Sequence, residues 1–377
     1  MESHQFTDNP EIRVVFVHLG DSPAEHLWLN IKRHLTIFPQ IPVHLIYSST
    51  KHEKKIPSGC HRFFMDASAL DPRLKQNRDV IFRRGFWSHT LARLYSIPVL
   101  HEQFPDDSLL HVESDVLLMP DFPWNDFKRL TKMAWQQFNL ERDVASLLFL
   151  PNRNTSRIFS ESLRRNLSMN SAHTDMTILR QITIESPRMV EYLPILYPGI
   201  PRLSNPLFQD IRQIESESQN SVFWGKGIFD SAAIGMWLLG HDPRNTYGKF
   251  LLHDLATTET GQTPLNPQNV KYELTSAGHL KIFKDNLDDG KIPLWSLHVH
   301  SKEKLLFSEN WLKKLESYVD SANTNPGLLI GFRINSVLSM FMDNLWTRTP
   351  HRFFFGFPIV HRFRHKLLKL IGRSPYA

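Results

Sequence analysis

Apolar residues fall in short blocks along the first half of the chain, and the period inside each block predicts an element. Ile12 to Leu19 is β-branched and aromatic in bias and runs into Gly20-Asp21-Ser22-Pro23, which reads as a buried strand ending in a turn. From about Ala24 to Leu35 the period changes, and Leu27, Ile31 and Leu35 stand four apart on one helical face. Val43 to Tyr47 follows two prolines as a second buried strand, and Arg62 to Met65 is a third. Between Phe86 and Ile97 the residues Trp87, Leu91, Leu94 and Tyr95 give a helical stripe, with Pro98 as its expected end.

Ser108 to Met119 is the most apolar strand candidate, stopped by Pro120. Beyond it the blocks alternate: Ala145 to Leu150 as strand, Ile158 to Leu167 and Met176 to Ile182 as helices. Residues 185–225 are rich in Pro, Ser and Asn and read as a long loop region with short strands. Phe229 to Leu239 reads as a small-residue helix closed by Gly240, and Pro293 to Val299 as a last strand. From about Leu305 the pattern is helical and amphipathic, with Trp311, Leu315 and Val319 spaced for packing. No internal repeat appears, and the alternation predicts a mixed α/β fold.

Composition narrows the function classes. With 41% hydrophobic and 22% charged residues the chain is an ordinary globular one, which excludes disorder for its bulk. The formal charge of +6 comes from 44 Lys and Arg against 38 Asp and Glu, but it is not spread evenly. After Asp343 there is no acidic residue, whereas Arg348, Arg352, Arg362, Arg364, Lys366, Lys369 and Arg373 follow, so the body before them is close to neutral. A neutral body argues against nucleic acid as a partner, which needs cations along a face or groove. A single cysteine, Cys60, permits no intramolecular disulfide and favours a reducing compartment. The first residues lack a signal-peptide pattern, and no apolar run approaches the roughly 18 residues of a membrane span. The expectation is a cytoplasmic protein.

Two carboxylates interrupt the Ser108–Met119 block, in His111-Val112-Glu113-Ser114-Asp115-Val116. An unpaired buried carboxylate costs several kcal/mol, so the position requires a cation, strong donors or an opening to water. If the strand stays regular, Glu113 and Asp115 point to one face and their oxygens suit a hard divalent ion, magnesium or manganese. The alternative is a turn between two short strands with both acids solvated. A second segment, His298-Val299-His300-Ser301-Lys302, sets two imidazoles on one face of the last strand and an amine two positions further.

The acid-x-acid triplet after a hydrophobic strand resembles the metal-dependent, nucleotide-sugar glycosyltransferases of GT-A fold, a Rossmann-like α/β architecture. The resemblance implies that Asp115 holds the metal bridging the donor's diphosphate, with Glu113 assisting the metal or contacting the donor ribose. It departs from the strict Asp-x-Asp motif in having Glu first. It further implies that His298 or His300 completes the metal site and that Lys302 holds the diphosphate; strand alternation does not choose between the imidazoles. His18 and Gly20 at the end of the first strand, and Asp66 after the third, are the nucleoside-contact candidates. Arg93 resembles the basic residue that faces the donor phosphates.

For the transferred sugar and the acceptor, the resemblance points to Asp175, in Thr174-Asp175-Met176-Thr177, and to Asp230, in Trp224-Gly225-Lys226-Gly227-Ile228-Phe229-Asp230-Ser231-Ala232-Ala233-Ile234-Gly235. Thr174, Asp175 and Asp230 also suit a helix N-cap. Gly225 and Gly227 permit close backbone approach to a ligand. The cations and phenylalanines after Pro350 suit an anionic membrane surface or a helix packed on its own domain. The expected organisation is an N-terminal arm (1–10), a single GT-A domain (11–305) and a C-terminal helical, basic-aromatic extension (306–377). The expected activity is transfer of a hexose from a nucleotide-diphosphate sugar to a glycan or lipid-linked acceptor hydroxyl, with manganese or magnesium. Two rivals share these residues: a metal-dependent hydrolase built on His298 and His300, and a non-catalytic nucleotide-sugar-binding protein.

Overall fold

The protein was analysed as a computed structural model, which describes residues 11–66, 70–71, 73–74, 86–138, 141–169, 174–198, 211–239, 270–283, 290–299 and 303–324. Its larger sheet has seven strands in the order β3-β2-β1-β4-β7-β6-β8. These are β1 (Ile12–His18), β2 (Val43–Tyr47), β3 (Cys60–Phe64), β4 (Ser108–Val112), β6 (Met133–Gln137), β7 (Asp143–Leu150) and β8 (Val190–Leu193). The first four run parallel, β7 is antiparallel to both of its neighbours, and β8 returns parallel to β6. The fold is mixed α/β with a central sheet dominated by parallel pairs.

Side chains alternate across this sheet as a strand requires. Val14, Phe16, Leu45 and Leu110 pack on one face against Leu27 and Ile31 of α1 (Glu25–Ile37). Val15, Ile46, Leu109 and Leu148 pack on the other, against α2 (Phe86–His101), α4 (Arg153–Met169) and α5 (Asp175–Glu185). The central parallel strands β1 and β2 are therefore mostly apolar on both sides and read as continuous apolar runs, whereas the outer strand β3 exposes His61, Arg62 and Phe64.

A second, smaller sheet follows the order β10 (Lys271–Leu274), β11 (Leu280–Phe283), β12 (Ile292–His298), β5 (Val116–Leu118), all antiparallel, with β9 (Ile228–Phe229) parallel to β12. Its core takes in α7 (Ala233–Leu239) and α8 (Trp311–Thr324), where Leu315 and Val319 are buried. Asn323 of α8 accepts from the Tyr272 backbone N–H at 3.0 Å and so fixes that helix to β10. The helices α3 (Trp124–Phe127) and α6 (Ile211–Gln219) and two 3-10 helices, Thr50–Lys55 and Lys304–Phe307, complete the described elements.

Four expectations change. Ser108 to Met119 is two strands rather than one: β4 belongs to the large sheet, β5 to the small one, and Glu113-Ser114-Asp115 is the turn between them. Pro98 does not end α2, which continues to His101; so near the last turn, the lost backbone bond and the crowding of the carbonyl four residues back are tolerated. Phe229 lies in β9, and the helix after it begins at Ala233 because Asp230 caps it. The region 185–225 contains a helix, α6, as well as β8. Gly240, the segment after it and the basic tail lie outside the described residues. Among the described residues no helix is long and apolar enough to cross a membrane.

Candidate metal centre

The two sheets meet at the acidic turn. Because β1 and β4 are parallel neighbours, His18 and Glu113 emerge at the same end of the large sheet. Because β5 and β12 are antiparallel with Val116 opposite His298, the end of β12 lands beside Asp115. A hydrogen bond from the Val299 N–H to the Asp115 carbonyl, at 2.7 Å, fixes that approach.

His298 Nε2 stands 3.3 Å from Asp115 Oδ2 and 3.7 Å from Glu113 Oε2. One ligand atom from each of Glu113, Asp115 and His298 lies within 4.8 Å of the other two, the one such cluster among the described residues. Both sequence readings of the acids are partly right. The triplet is a turn, so strand alternation does not align its carboxylates, yet Asp115 is only 7% exposed and is not solvated. Two carboxylates and a neutral imidazole are a donor set that hard or borderline divalent ions accept, manganese and magnesium among them.

Arg93, on α2, ties this pair to a third acid. Its Nη1 donates to Glu113 Oε1 and its Nη2 to Asp175 Oδ2 at 3.1 Å. Burial works against the guanidinium charge, but the flanking Glu113 and Asp175 carboxylates more than offset it and raise its pKa. Burial pushes the Asp175 carboxyl up, against the pull of Arg93. Thr174 is the N-cap of α5, accepting from the Thr177 N–H while Thr177 reciprocates. Asp175 therefore turns toward Arg93 instead of serving as the cap.

Asp230 sits behind the cluster. It is 2% exposed, and its two oxygens accept from four backbone N–H groups: Ala232 and Ile234 at 3.0 Å each, Gly235 at 2.8 Å and His298 at 3.1 Å. Burial raises its pKa, opposed first by the His298 N–H bond. Gly235 lets α7 lie directly on β12, since a Cβ there would stand 1.8 Å from the His298 carbonyl oxygen. The close approach at Gly227 is likewise internal, because its Cβ would meet the Trp295 ring at 2.7 Å.

The remaining candidates divide by position. His18 ends β1, its basicity lowered by burial, and the Gly20 N–H donates to Ser48 Oγ at 3.0 Å. Asp66 is exposed just past β3. These three share the end of the parallel strands with the acidic turn but are not part of its cluster. His300 and Lys302 lie outside the described residues. Three residues that the apolar stripe of α1 concealed reach the segment that runs on from the acidic turn: His26 and Asn30 meet Ser114 and Val116, and Arg33 meets Leu118 beyond the site. Their spacing of four and three was the available signal.

No family model matches the chain, and no curated protein matches it either. Solved structures do. The galactosyltransferase LgtC in complex with donor and acceptor sugar analogues is similar at 13% identity and a TM-score of 0.36, over 49% of this chain and 74% of that one. The glycosyltransferase GlyE of Streptococcus pneumoniae is similar at 13% identity and a TM-score of 0.38, over 86% of this chain and 63% of that one. The PaToxG glycosyltransferase is similar at 12% identity and a TM-score of 0.31, over 57% and 79%.

Proposed function

We propose that the protein is a metal-dependent glycosyltransferase of GT-A type, moving a hexose from a nucleotide-diphosphate sugar to an acceptor hydroxyl. The observation that carries the reading is the convergence of Glu113, Asp115 and His298 at the carboxyl end of the parallel strands, where α/β sheets receive ligands. Asp115 and His298 would hold manganese or magnesium, with Glu113 shared between that ion and Arg93. A divalent ion there neutralises negative charge on the departing nucleoside diphosphate.

The chain's own residues supply the rest of the reading. Arg93 holds Glu113 and Asp175 in one ionic row, so an acid that faces the sugar is fixed relative to an acid that faces the ion. Asp230 acts through His298: taking a proton from an acceptor would require it to surrender backbone donors that fill both oxygens. His18, Gly20 and Asp66 are assigned to the nucleoside, and Lys302, with His300 as a further imidazole, to the diphosphate. The acceptor is assigned as a glycan or lipid-linked sugar, reached through the cationic segment after Pro350 at an anionic membrane surface.

The test is a panel of nucleotide sugars with and without manganese, scored for thermal stabilisation and for release of the nucleoside diphosphate. Metal-dependent stabilisation by one nucleotide sugar, with slow donor hydrolysis, is expected. Stabilisation by manganese with no response to any nucleotide would overturn the transferase reading and favour the metal-dependent hydrolase. Binding without turnover, even with glycan acceptors supplied, would leave a nucleotide-sugar-binding protein.

A further inference from the structure

Among the described residues the strand β5 is the last in its sheet, with one edge paired to β12. Backbone groups of successive residues face opposite edges. The Asp115 carbonyl accepts from Val299 and the Met119 N–H donates to Trp295, which places residues 115, 117 and 119 on the edge toward β12. The carbonyls of Ser114, Val116 and Leu118 therefore face away from the sheet, toward α1. Buried carbonyls without donors would keep their full desolvation cost.

The helix α1 supplies those donors from one stripe. His26 Nε2 lies 3.2 Å from Ser114 Oγ, Asn30 Nδ2 donates to Ser114 O at 3.1 Å and to Val116 O at 2.8 Å, and Arg33 Nη1 donates to Leu118 O at 2.9 Å. The three side chains are buried, at 7%, 2% and 6% exposure. Only the NH₂ end of an amide can donate to two carbonyls, so the Asn30 orientation is fixed by its partners. The Asn30 amide thus grips the carbonyls of the two residues that flank Asp115, while Asp115's own carbonyl is held by Val299. Three successive carbonyls, those of residues 114, 115 and 116, are pinned.

We propose that Asn30 is a positioning residue for the metal-binding carboxylate of Asp115; this rests on the metal reading above. The amide sets the direction of the Asp115 Cα–Cβ bond, and so the distance from its carboxylate to His298. Arg33 makes the control. It bonds a carbonyl three residues beyond Asp115 and stacks its guanidinium 4.2 Å over the Trp311 ring, so its loss weakens the same edge without touching residue 115.

Manganese alone is the probe, titrated calorimetrically into the full-length wild type, Asn30→Leu and Arg33→Met, with the manganese electron paramagnetic resonance spectrum recorded for each. Outer-shell changes commonly cost 10–100-fold in metal affinity. The expected result is a loss of about tenfold or more for Asn30→Leu with an altered spectrum, against a change of no more than about twofold for Arg33→Met. If Asn30→Leu fails to fold, Asn30→Ser, which keeps a single small donor, is expected to lose at least about threefold. Wild-type affinity and spectrum in the folded Asn30 variant would overturn the inference, leaving Asn30 an edge cap. A wild type that binds no manganese would instead overturn the metal reading, and the inference with it.

Discussion

Replacing Gly235 with alanine sets two effects of known sign against each other. In a helix interior, alanine is favoured over glycine by about 1 kcal/mol, so in open space the change would stabilise α7. Here the new Cβ would sit 1.8 Å from the His298 carbonyl oxygen, 2.8 Å from its carbonyl carbon and 2.9 Å from Asp230 Oδ2. Ordinary contact begins at 3.4 Å, so α7 and the end of β12 must part by about 1.6 Å. Neither neighbour is a flexible side-chain tip. One is backbone, and the other is a carboxylate held by four N–H groups.

Overpacking of this kind costs about 1–3 kcal/mol. The separation also stretches the bonds from Gly235 and His298 to Asp230, and hydrogen bonds to a charged acceptor contribute about 1.5–3 kcal/mol each. The clash therefore exceeds the propensity gain, and Gly235→Ala is expected to be destabilised by about 2–4 kcal/mol in metal-free urea unfolding. Because the displaced carbonyl belongs to His298, manganese affinity should fall about 10–100-fold, a result simple loosening of a distant helix would not produce. A variant as stable as the wild type, with unchanged manganese affinity, would refute the claim that α7 sets the imidazole.

Four further outcomes are expected. Manganese at about 100 times its Kd should stabilise the wild type by about 2.7 kcal/mol in thermal unfolding, and Asp115→Asn and His298→Ala should each abolish that gain. Asp230→Asn should weaken manganese binding while leaving the pH dependence of any transfer activity unshifted; loss of one limb of the pH–rate profile would restore it as the acceptor base. Ala232 has φ of 146°, a region that favours glycine, so Ala232→Gly should be neutral or stabilising by about 1 kcal/mol in urea unfolding despite its entropy cost. Burial lifts the Asp143 carboxyl from 3.8 to about 6, so the folded state holds its proton more tightly and loses about 3 kcal/mol as pH rises from about 4 to 6. Asp143→Asn should therefore steepen the acid loss of stability, and a shallower acid limb would contradict the assignment.

The centre of the large sheet was legible because its parallel strands are mostly apolar on both faces: β1 and β2 match the expected runs almost residue for residue. The hairpin β10–β11 was not, since its strands are only four residues long and bury alternate positions, Tyr272 on one and Leu280 and Ile282 on the other. At the site, residue types were legible and geometry was not. The pairing of Asp115 with His298 follows from strand register across 183 residues, which no local pattern encodes. The assignment of Thr174 rather than Asp175 as the N-cap depends on where Arg93 sits. Asn30 was hidden because the apolar stripe Leu27–Ile31–Leu35 accounts for α1 well enough without it.

The split between β4 and β5 is what makes two adjacent acids tolerable in an apolar block. In one unbroken strand, Glu113 and Asp115 would share a face with Leu109 and His111, against the core under α2, and one guanidinium would have to serve both. Breaking the strand after Val112 sends the two carboxylates to different partners. Glu113 stays with the large sheet and meets Arg93, while Asp115 passes to the small sheet and meets His298 at the end of β12. Helix α2 thus supplies one partner and the small sheet the other, and the carboxylates converge only where the sheets join. The same break leaves one β5 edge without a strand partner among the described residues, and α1 holds that side with the stripe His26–Asn30–Arg33. On this reasoning, removing the edge donors and displacing α7 act on opposite walls of one site, and the double variant Asn30→Leu with Gly235→Ala should lose less manganese affinity than the product of the single losses.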